Sequence, residues 1–96
     1  MTDNFAKTVA VAGTAERLSA TRLKARWVHI QAKTGNTGQI YHGASTVSSS
    51  IGQELSRLEG FMYPPIKDEC AYDLHTIWIN AGVNGEGANV LYERPE

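Results

Sequence analysis

Residues 23–42 read LKARWVHIQAKTGNTGQIYH, and this stretch decides the fold class. Its apolar residues Val28, Ile30 and Ala32 alternate with larger or polar ones, which is the period of a strand with one buried face. The Gly and Asn residues at 34–38 tolerate the backbone conformations of tight turns. A second β-prone run closes the stretch. We therefore predict a β-hairpin over residues 23–42.

The C-terminal part of the chain shows the same pattern. Residues 74–81 (LHTIWINA) are rich in Ile and Trp, residues 82–87 (GVNGEG) are rich in turn formers, and residues 88–93 form a closing β-prone run. This order predicts a second hairpin over residues 75–93. Short strands separated by Gly-rich turns are typical of all-β folds, so we expect a small antiparallel β-sandwich or a jelly-roll-like barrel.

The chain has 96 residues, which indicates one domain. We predict a flexible N-terminal arm at residues 1–7 and a single β domain at residues 8–96. A helix over residues 16–26 stays an alternative, because Ala, Leu and Arg favour it and Thr14 is a suitable cap.

The middle of the chain is the least regular part of the pattern. Ile51, Leu55 and Leu58 recur at helical spacing, so a short helix near residues 51–58 and an irregular loop are both open. Pro64 and Pro65 exclude regular structure at their own position and predict an extended crossing segment.

Charge and composition exclude several classes of function. The formal net charge of −1 provides no basic excess for a phosphate backbone, so we expect no nucleic-acid partner. Cys70 is the single cysteine, which predicts no disulfide framework and fits synthesis in a reducing cytoplasm. The first seven residues lack the apolar core of a signal peptide, and no apolar run reaches the roughly 20 residues of a membrane helix.

Three histidines are candidate metal ligands. His29, His42 and His75 all fall in predicted strands, and a cupin-like barrel would direct such histidines inward. None forms a close pair of the H-x-H or H-x-x-x-H kind, so three separate strand histidines are the favoured interpretation.

The segment Asp68, Glu69, Cys70 and Asp73 combines carboxylates with a thiol. It would suit a hard cation, or a nucleophile if a base lay beside Cys70, but a solvated loop explains it more simply. Residues 82–87 lack the Lys-Ser/Thr ending of a phosphate loop, and residues 45–50 lack a nucleophile elbow. We therefore predict no catalytic, cofactor-binding or metal-binding residues, and a protein that is not an enzyme.

The large aromatic residues suit either a core or an interface, because each combines apolar area with a polar tip. They are Trp27, Tyr41, Tyr63, Tyr72, Trp78 and Tyr92.

Four stretches together carry a resemblance. They are ARWVHIQA at 25–32, GNTGQIYHG at 35–43, the STVS segment that leads to Gly52, Leu58 and Gly60, and residues 73–92 with their DL, IWI and VLY runs. This order resembles small structural proteins encoded in the morphogenesis regions of tailed bacteriophages and prophages. The resemblance covers about residues 8–94. Residues 61–71 depart from it, since they are longer and more polar than the pattern implies.

The resemblance implies a β-sandwich or jelly-roll-like unit of a virion. Its leading role would be a capsid decoration or cement protein that binds and stabilises neighbouring subunits of the major capsid protein, or another virion protein, as a dimer or trimer. One alternative is a tail-fibre or baseplate module that binds a host surface glycan. A second alternative is a small cupin-like metal-binding protein.

Overall fold

A computed structural model describes residues 1–66 and 70–95, and it confirms the all-β fold class. The strands of the described residues are β1 Thr2–Thr8, β2 Glu16–Arg17, β3 Lys24–Ala25, β4 Trp27–Ala32, β5 Ile40–Gly43, β6 Gln53–Leu55, β7 Gly60–Tyr63, β8 Tyr72–Asp73, β9 Trp78–Ala81 and β10 Gly87–Glu93. One turn of 3₁₀ helix at Leu74–Thr76 separates β8 from β9.

Two four-stranded antiparallel sheets face each other as a β-sandwich. Sheet I has the strand order β1-β10-β4-β7, and sheet II has the order β2-β9-β5-β6. Strands β3 and β8 form a separate two-stranded ribbon. The core consists of apolar residues that both sheets and their connections bury, among them Val9, Leu18, Val28, Ile30, Ile40, Leu55, Leu74, Ile79, Val90 and Tyr92.

The alternation predicted for β4 is confirmed, since Val28, Ile30 and Ala32 are buried and the residues between them are half-exposed. The prediction of a hairpin over residues 23–42 is wrong. Strand β4 pairs with β10 and β7 in sheet I, whereas β5 pairs with β6 and β9 in sheet II. The Gly-rich segment between them is an arch that crosses the roughly 10 Å between packed sheets.

The second hairpin, predicted over residues 75–93, is wrong for the same reason. Strand β9 lies in sheet II and β10 in sheet I, so the intervening residues also form an arch. Both strands bury apolar side chains in the shared core. Their alternating pattern therefore fits two strands that face each other across the core as well as two strands that pair side by side. The first residues of the predicted strand over 74–81 form the 3₁₀ turn instead.

Residues 1–7 are not a flexible arm. Strand β1 pairs with β10 along its full length, from Thr2 opposite Glu93 to Thr8 opposite Gly87. Phe5 points inward and packs edge-on against Tyr92, with ring centroids 5.9 Å apart. One aromatic residue and an uninterrupted ladder therefore order a segment whose composition is mostly polar.

Neither proposed helix is present in the described residues. Residues 51–58 contain β6, Gly52 has a φ of +119° and Leu58 has a φ of 71°, all of which exclude a helix. Residues 16–26 contain β2 and β3. Pairing of β6 with β5 outweighs the helical spacing of the apolar residues. Nowhere in residues 1–66 and 70–95 does a helix reach the length and apolarity that crossing a membrane requires.

Candidate functional site

The outward face of sheet I carries a set of side chains that the strand register aligns in rows. One row runs across the sheet through Asn4, Leu91, His29 and Met62. The adjacent row runs through Ala6, Asn89, Gln31 and Gly60. Successive residues of a strand point to opposite faces, so these rows stand opposite to the core.

The two rows line a depression of about 560 Å³, which we call the outer groove. Its side chains are those of Asn4, Ala6, His29, Gln31, Asn89 and Leu91, with backbone from neighbouring residues. None of these lining residues is Asp, Glu, Lys or Arg. Leu91 is 39% exposed at the centre of the groove, and Met62 is 44% exposed at its margin. An apolar centre with amide groups around it is the composition of a contact surface.

Local contacts hold two of the groove side chains in place. The amide nitrogen of Gln31 donates to the carbonyl oxygen of Leu58 at 3.1 Å. The imidazole of His29 lies over Gly60, where a Cβ atom would meet its Nε2 at 2.8 Å. A side chain at position 60 would therefore displace the imidazole of His29 from its place beside the edge strand β7.

Comparisons with protein families, curated proteins and solved structures return no match to this chain. The outer groove is consequently interpreted from its own chemistry.

The structure places the three candidate histidines on separate elements. His29 lies in the outer groove, His42 is buried between the sheets, and the Nδ1 of His75 lies 3.2 Å from the carbonyl oxygen of Ser19. In the described ranges, no group of three or more His, Cys, Asp or Glu side chains is arranged to hold a metal ion. These histidines therefore do not form the metal site of a cupin-like barrel.

His42 lies in an aromatic cluster between the sheets. Its Nδ1 is 2.7 Å from the hydroxyl of Tyr63, and its ring centroid is 5.0 Å from that of Phe61. Tyr63 in turn packs edge-on against Tyr72 at 5.6 Å. Burial lowers the pKa of His42 to about 4 and raises that of Tyr63 to about 12, so both side chains are neutral at pH 7.

Of the predicted acidic segment, Asp68 and Glu69 lie outside the described residues, and Cys70 is a half-buried free thiol. Asp73 is buried and accepts hydrogen bonds from the backbone nitrogens of Leu23 and His75 and from Arg22, each at 3.0 Å. The Leu23 amide and the Arg22 guanidinium hold the pKa of Asp73 well below its usual range. Asp73 thus caps the 3₁₀ turn and anchors the segment before β3.

The two arches bind each other through the segment 82–87, whose glycines resemble those of a phosphate loop. The Glu86 carboxylate accepts hydrogen bonds from the Thr37 nitrogen at 2.6 Å, the Thr37 hydroxyl at 2.9 Å and the Gly38 nitrogen at 2.9 Å. The Asn36 side chain bonds both the carbonyl oxygen and the nitrogen of Gly87. Residues 82–87 therefore supply the acceptor of the Glu86 contact, and the donors come from the other arch.

The remaining serine and aromatic candidates are mostly structural. The carbonyl of Val47, in the Ser-rich segment, accepts a hydrogen bond from the buried Asn80 amide at 3.1 Å. The guanidinium carbon of Arg17 lies over the Trp78 ring, 4.6 Å from the ring centroid. Trp27 is half-buried on the outward side of sheet I, on the same face as His29. Trp27 is thus the aromatic candidate that lies beside the outer groove.

Sequence reasoning singled out His29 but missed the other groove residues. Asn4 fell in the predicted arm, and Leu91 and Asn89 fell in a strand whose neighbours were unknown. The signal that could have identified Leu91 is its position between Val90 and Tyr92, since alternation directs it away from the core.

Proposed function

We propose that this protein is a non-enzymatic virion structural protein, and that it acts as a capsid decoration or cement protein. In this role it binds neighbouring subunits of the major capsid protein and adds contacts that stabilise the shell. Two arguments support the proposal. The order of strand, NTG segment and Ser-rich segment resembles that of small phage structural proteins, and the outer groove has the composition of a protein contact surface.

The observation that carries the proposal is the exposed apolar centre of the outer groove. Leu91 lies between Asn4 and His29 in one cross-strand row, and the amides of Asn4, Asn89 and Gln31 line the groove around it. Protein interfaces combine a desolvated apolar centre with a polar rim, and charged residues are depleted at the centre. A rigid sheet also presents such a surface at little cost in conformational entropy.

The test uses a pair of variants that change equally exposed residues. Leu91→Lys places a charge at the centre of the outer groove, whereas Val83→Lys places it on the arch between β9 and β10, at 38% exposure. We expect Leu91→Lys to weaken binding to capsids by roughly tenfold or more, because a lysine would be desolvated there. Val83→Lys should bind like the wild type.

Two measurements decide the result. Mass spectrometry of purified particles should find the chain in many copies, and titration of undecorated capsids with each variant gives the relative affinity. Absence of the chain from purified particles would overturn the proposal. Equal binding by the wild type and Leu91→Lys would exclude the outer groove as the contact surface.

A second candidate function is glycan binding by a tail-fibre or baseplate module. The neutral amides of Asn4, Gln31 and Asn89 suit the hydroxyl groups of a sugar, and Trp27 lies on the same face. Immunogold labelling distinguishes the two candidates. Label on tails together with binding to host cells supports the glycan module, whereas label on heads without cell binding supports decoration.

A further inference from the structure

Strand β1 forms one edge of sheet I, and its backbone leaves a regular set of groups facing outward. Residues opposite each other in an antiparallel pair alternate between hydrogen-bonded and non-hydrogen-bonded positions. Val9 donates to the carbonyl oxygen of Glu86 and Arg94 donates to that of Met1, both at 2.9 Å. The odd-numbered residues therefore face β10. The even-numbered residues face the open side; they are Thr2, Asn4, Ala6 and Thr8.

One contact confirms this orientation. The backbone nitrogen of Asn4 donates to the Asp3 carboxylate at 2.9 Å, which is possible only if that N–H points away from β10. A charged side chain on an edge strand that satisfies an edge donor is a common protection against uncontrolled pairing. The protection here is a single, reversible hydrogen bond.

The sequence of β1, TDNFAKT, is self-complementary when a second copy pairs with it in antiparallel orientation. In the register that centres on Phe5, Thr2 lies opposite Thr8 of the second copy, and Asn4 lies opposite Ala6 of the second copy. These are the even-numbered residues, so every outward backbone group finds a partner. Asp3 then lies opposite Lys7 of the second copy, so opposite charges meet twice across the axis, beside the Lys7–Glu16 pair at 2.8 Å and the Asp3–Arg94 pair at 3.8 Å within each copy.

Other registers are less favourable. A register that centres on Asp3 places two carboxylates opposite each other, and one that centres on Lys7 does the same with two ammonium groups. Like charges directly opposite across a strand pair are destabilising. Centring on Asn4 or Ala6 shortens the ladder and separates Asp3 from Lys7. Charge complementarity and ladder length thus select the same register.

We propose that β1 is a homodimer interface, in which the β1 strands of two copies pair antiparallel about Phe5 and join their two copies of sheet I into one continuous sheet. This inference does not depend on a role in a virion. An isologous pair of this kind has the two-fold symmetry of most homodimers. On pairing, the Asn4 N–H moves from the Asp3 carboxylate to the carbonyl of Ala6 of the second copy.

The dimer also changes the outer groove. Asn4 and Ala6 line the groove on the β1 side, and the pairing places Ala6 and Asn4 of the second copy next to them. A two-fold axis perpendicular to the sheet keeps both outward faces on one side. The two grooves therefore become one surface that spans the axis.

The first test removes one outward donor without touching the fold. Ala6→Pro deletes an N–H on the open side, and proline is tolerated on edge strands. Glu54→Pro is the matched control, because it deletes an outward N–H on β6, an edge strand of sheet II. By sedimentation velocity from micromolar to millimolar concentration, we expect wild type and Glu54→Pro to dimerise and Ala6→Pro to remain a monomer. A monomeric wild type, or an Ala6→Pro dimer, overturns the proposal.

The second test reports the register and does not rely on a proline variant. In a Cys70→Ser background, Asn4→Cys and Ala6→Cys chains are prepared separately and then mixed under mild oxidation. Residues opposite in a hydrogen-bonded pair have Cα atoms about 5.5 Å apart, which a disulfide can span. We expect cross-linked dimers in the mixture and far fewer in either chain alone. Equal cross-linking in the single-variant samples, or none in the mixture, contradicts the register.

Discussion

Gly87 is the single residue on which the joining of β1 to β10 depends most directly. A Cβ atom at this position would lie 1.9 Å from the carbonyl oxygen of Lys7 and 2.9 Å from the Cα of Thr8. Both are backbone atoms, so no side-chain rotation relieves the overlap. A larger residue at position 87 would therefore push β1 away from β10. This would disrupt the outer groove and the proposed dimer edge, because β1 contributes to both.

We therefore expect Gly87→Ala to lower the free energy of unfolding by about 3 kcal/mol, because overpacking against backbone forces the strands apart. Gly35→Ala is the control, since Gly35 lies in the other arch with open space around its Cβ position. That change should stay within about 0.5 kcal/mol of wild type. Urea denaturation measures both, and a Gly87→Ala protein as stable as Gly35→Ala would contradict the packing argument.

Among the elements, the two arches act as one unit because Glu86 bonds the backbone of the other arch. Its pKa lies below the ordinary value, and the largest causes are the amides of Thr37 and Gly38. Glu86→Gln replaces one acceptor oxygen by an NH₂ group. Because that group is a donor, it cannot accept a hydrogen bond from the Thr37 or Gly38 N–H, and one of these N–H groups loses its partner. We expect a lower urea midpoint and roughly tenfold faster hydrogen exchange at Thr37 and Gly38.

Glu54→Gln is the control for the charge itself, because Glu54 is exposed on β6. It should leave both the midpoint and the exchange rates unchanged. Unaltered exchange at Thr37 and Gly38 in Glu86→Gln would show that the carboxylate does not hold the arches together.

The same elements show how far sequence reasoning reaches. The alternation of β4 is strong, so its buried face and the all-β class were predictable. Which strand pairs with which was not, because a Gly-rich connection serves equally for a turn within one sheet and for an arch between two. Strand β1 was missed because its inward residues are Asp3, Phe5 and Lys7, of which only Phe5 is apolar. The candidate site depends on these pairings, so only His29 was foreseen.

At the scale of the whole molecule, polar contacts link the two sheets on opposite sides of the core. Lys7 of β1 pairs with Glu16 of β2 at 2.8 Å, which joins the edge strands of sheets I and II. On the other side, His42 of sheet II meets Tyr63 of sheet I at 2.7 Å. The second contact makes the sandwich sensitive to pH, since His42 is fully buried and its Nε2 has no hydrogen-bond partner among the described residues.

Acid should therefore weaken the packing of the two sheets before the carboxylates titrate. The pKa of His42 is about 4 in the folded protein, whereas the ordinary value of 6.5 applies to the unfolded chain. Between these two pH values the unfolded chain binds a proton that the native state does not. Stability then falls as the pH is lowered through this window, and the full loss is about 3.5 kcal/mol at ~1.4 kcal/mol per pKa unit. Asp73 and Glu86 contribute mainly below about pH 5, because their ordinary pKa values are 3.8 and 4.5 and both are lowered in the folded protein.

Urea denaturation at a series of pH values from about 7 to about 5 isolates the histidine. The double variant His42→Leu with Tyr63→Phe replaces both polar partners by apolar groups, so no buried hydroxyl is left unpaired. Its free energy of unfolding should vary much less with pH over this interval, whatever its absolute value. A double variant that keeps the wild-type slope would assign the proton uptake to another group, and the neutral His42–Tyr63 contact would then not be the acid-sensitive link between the sheets.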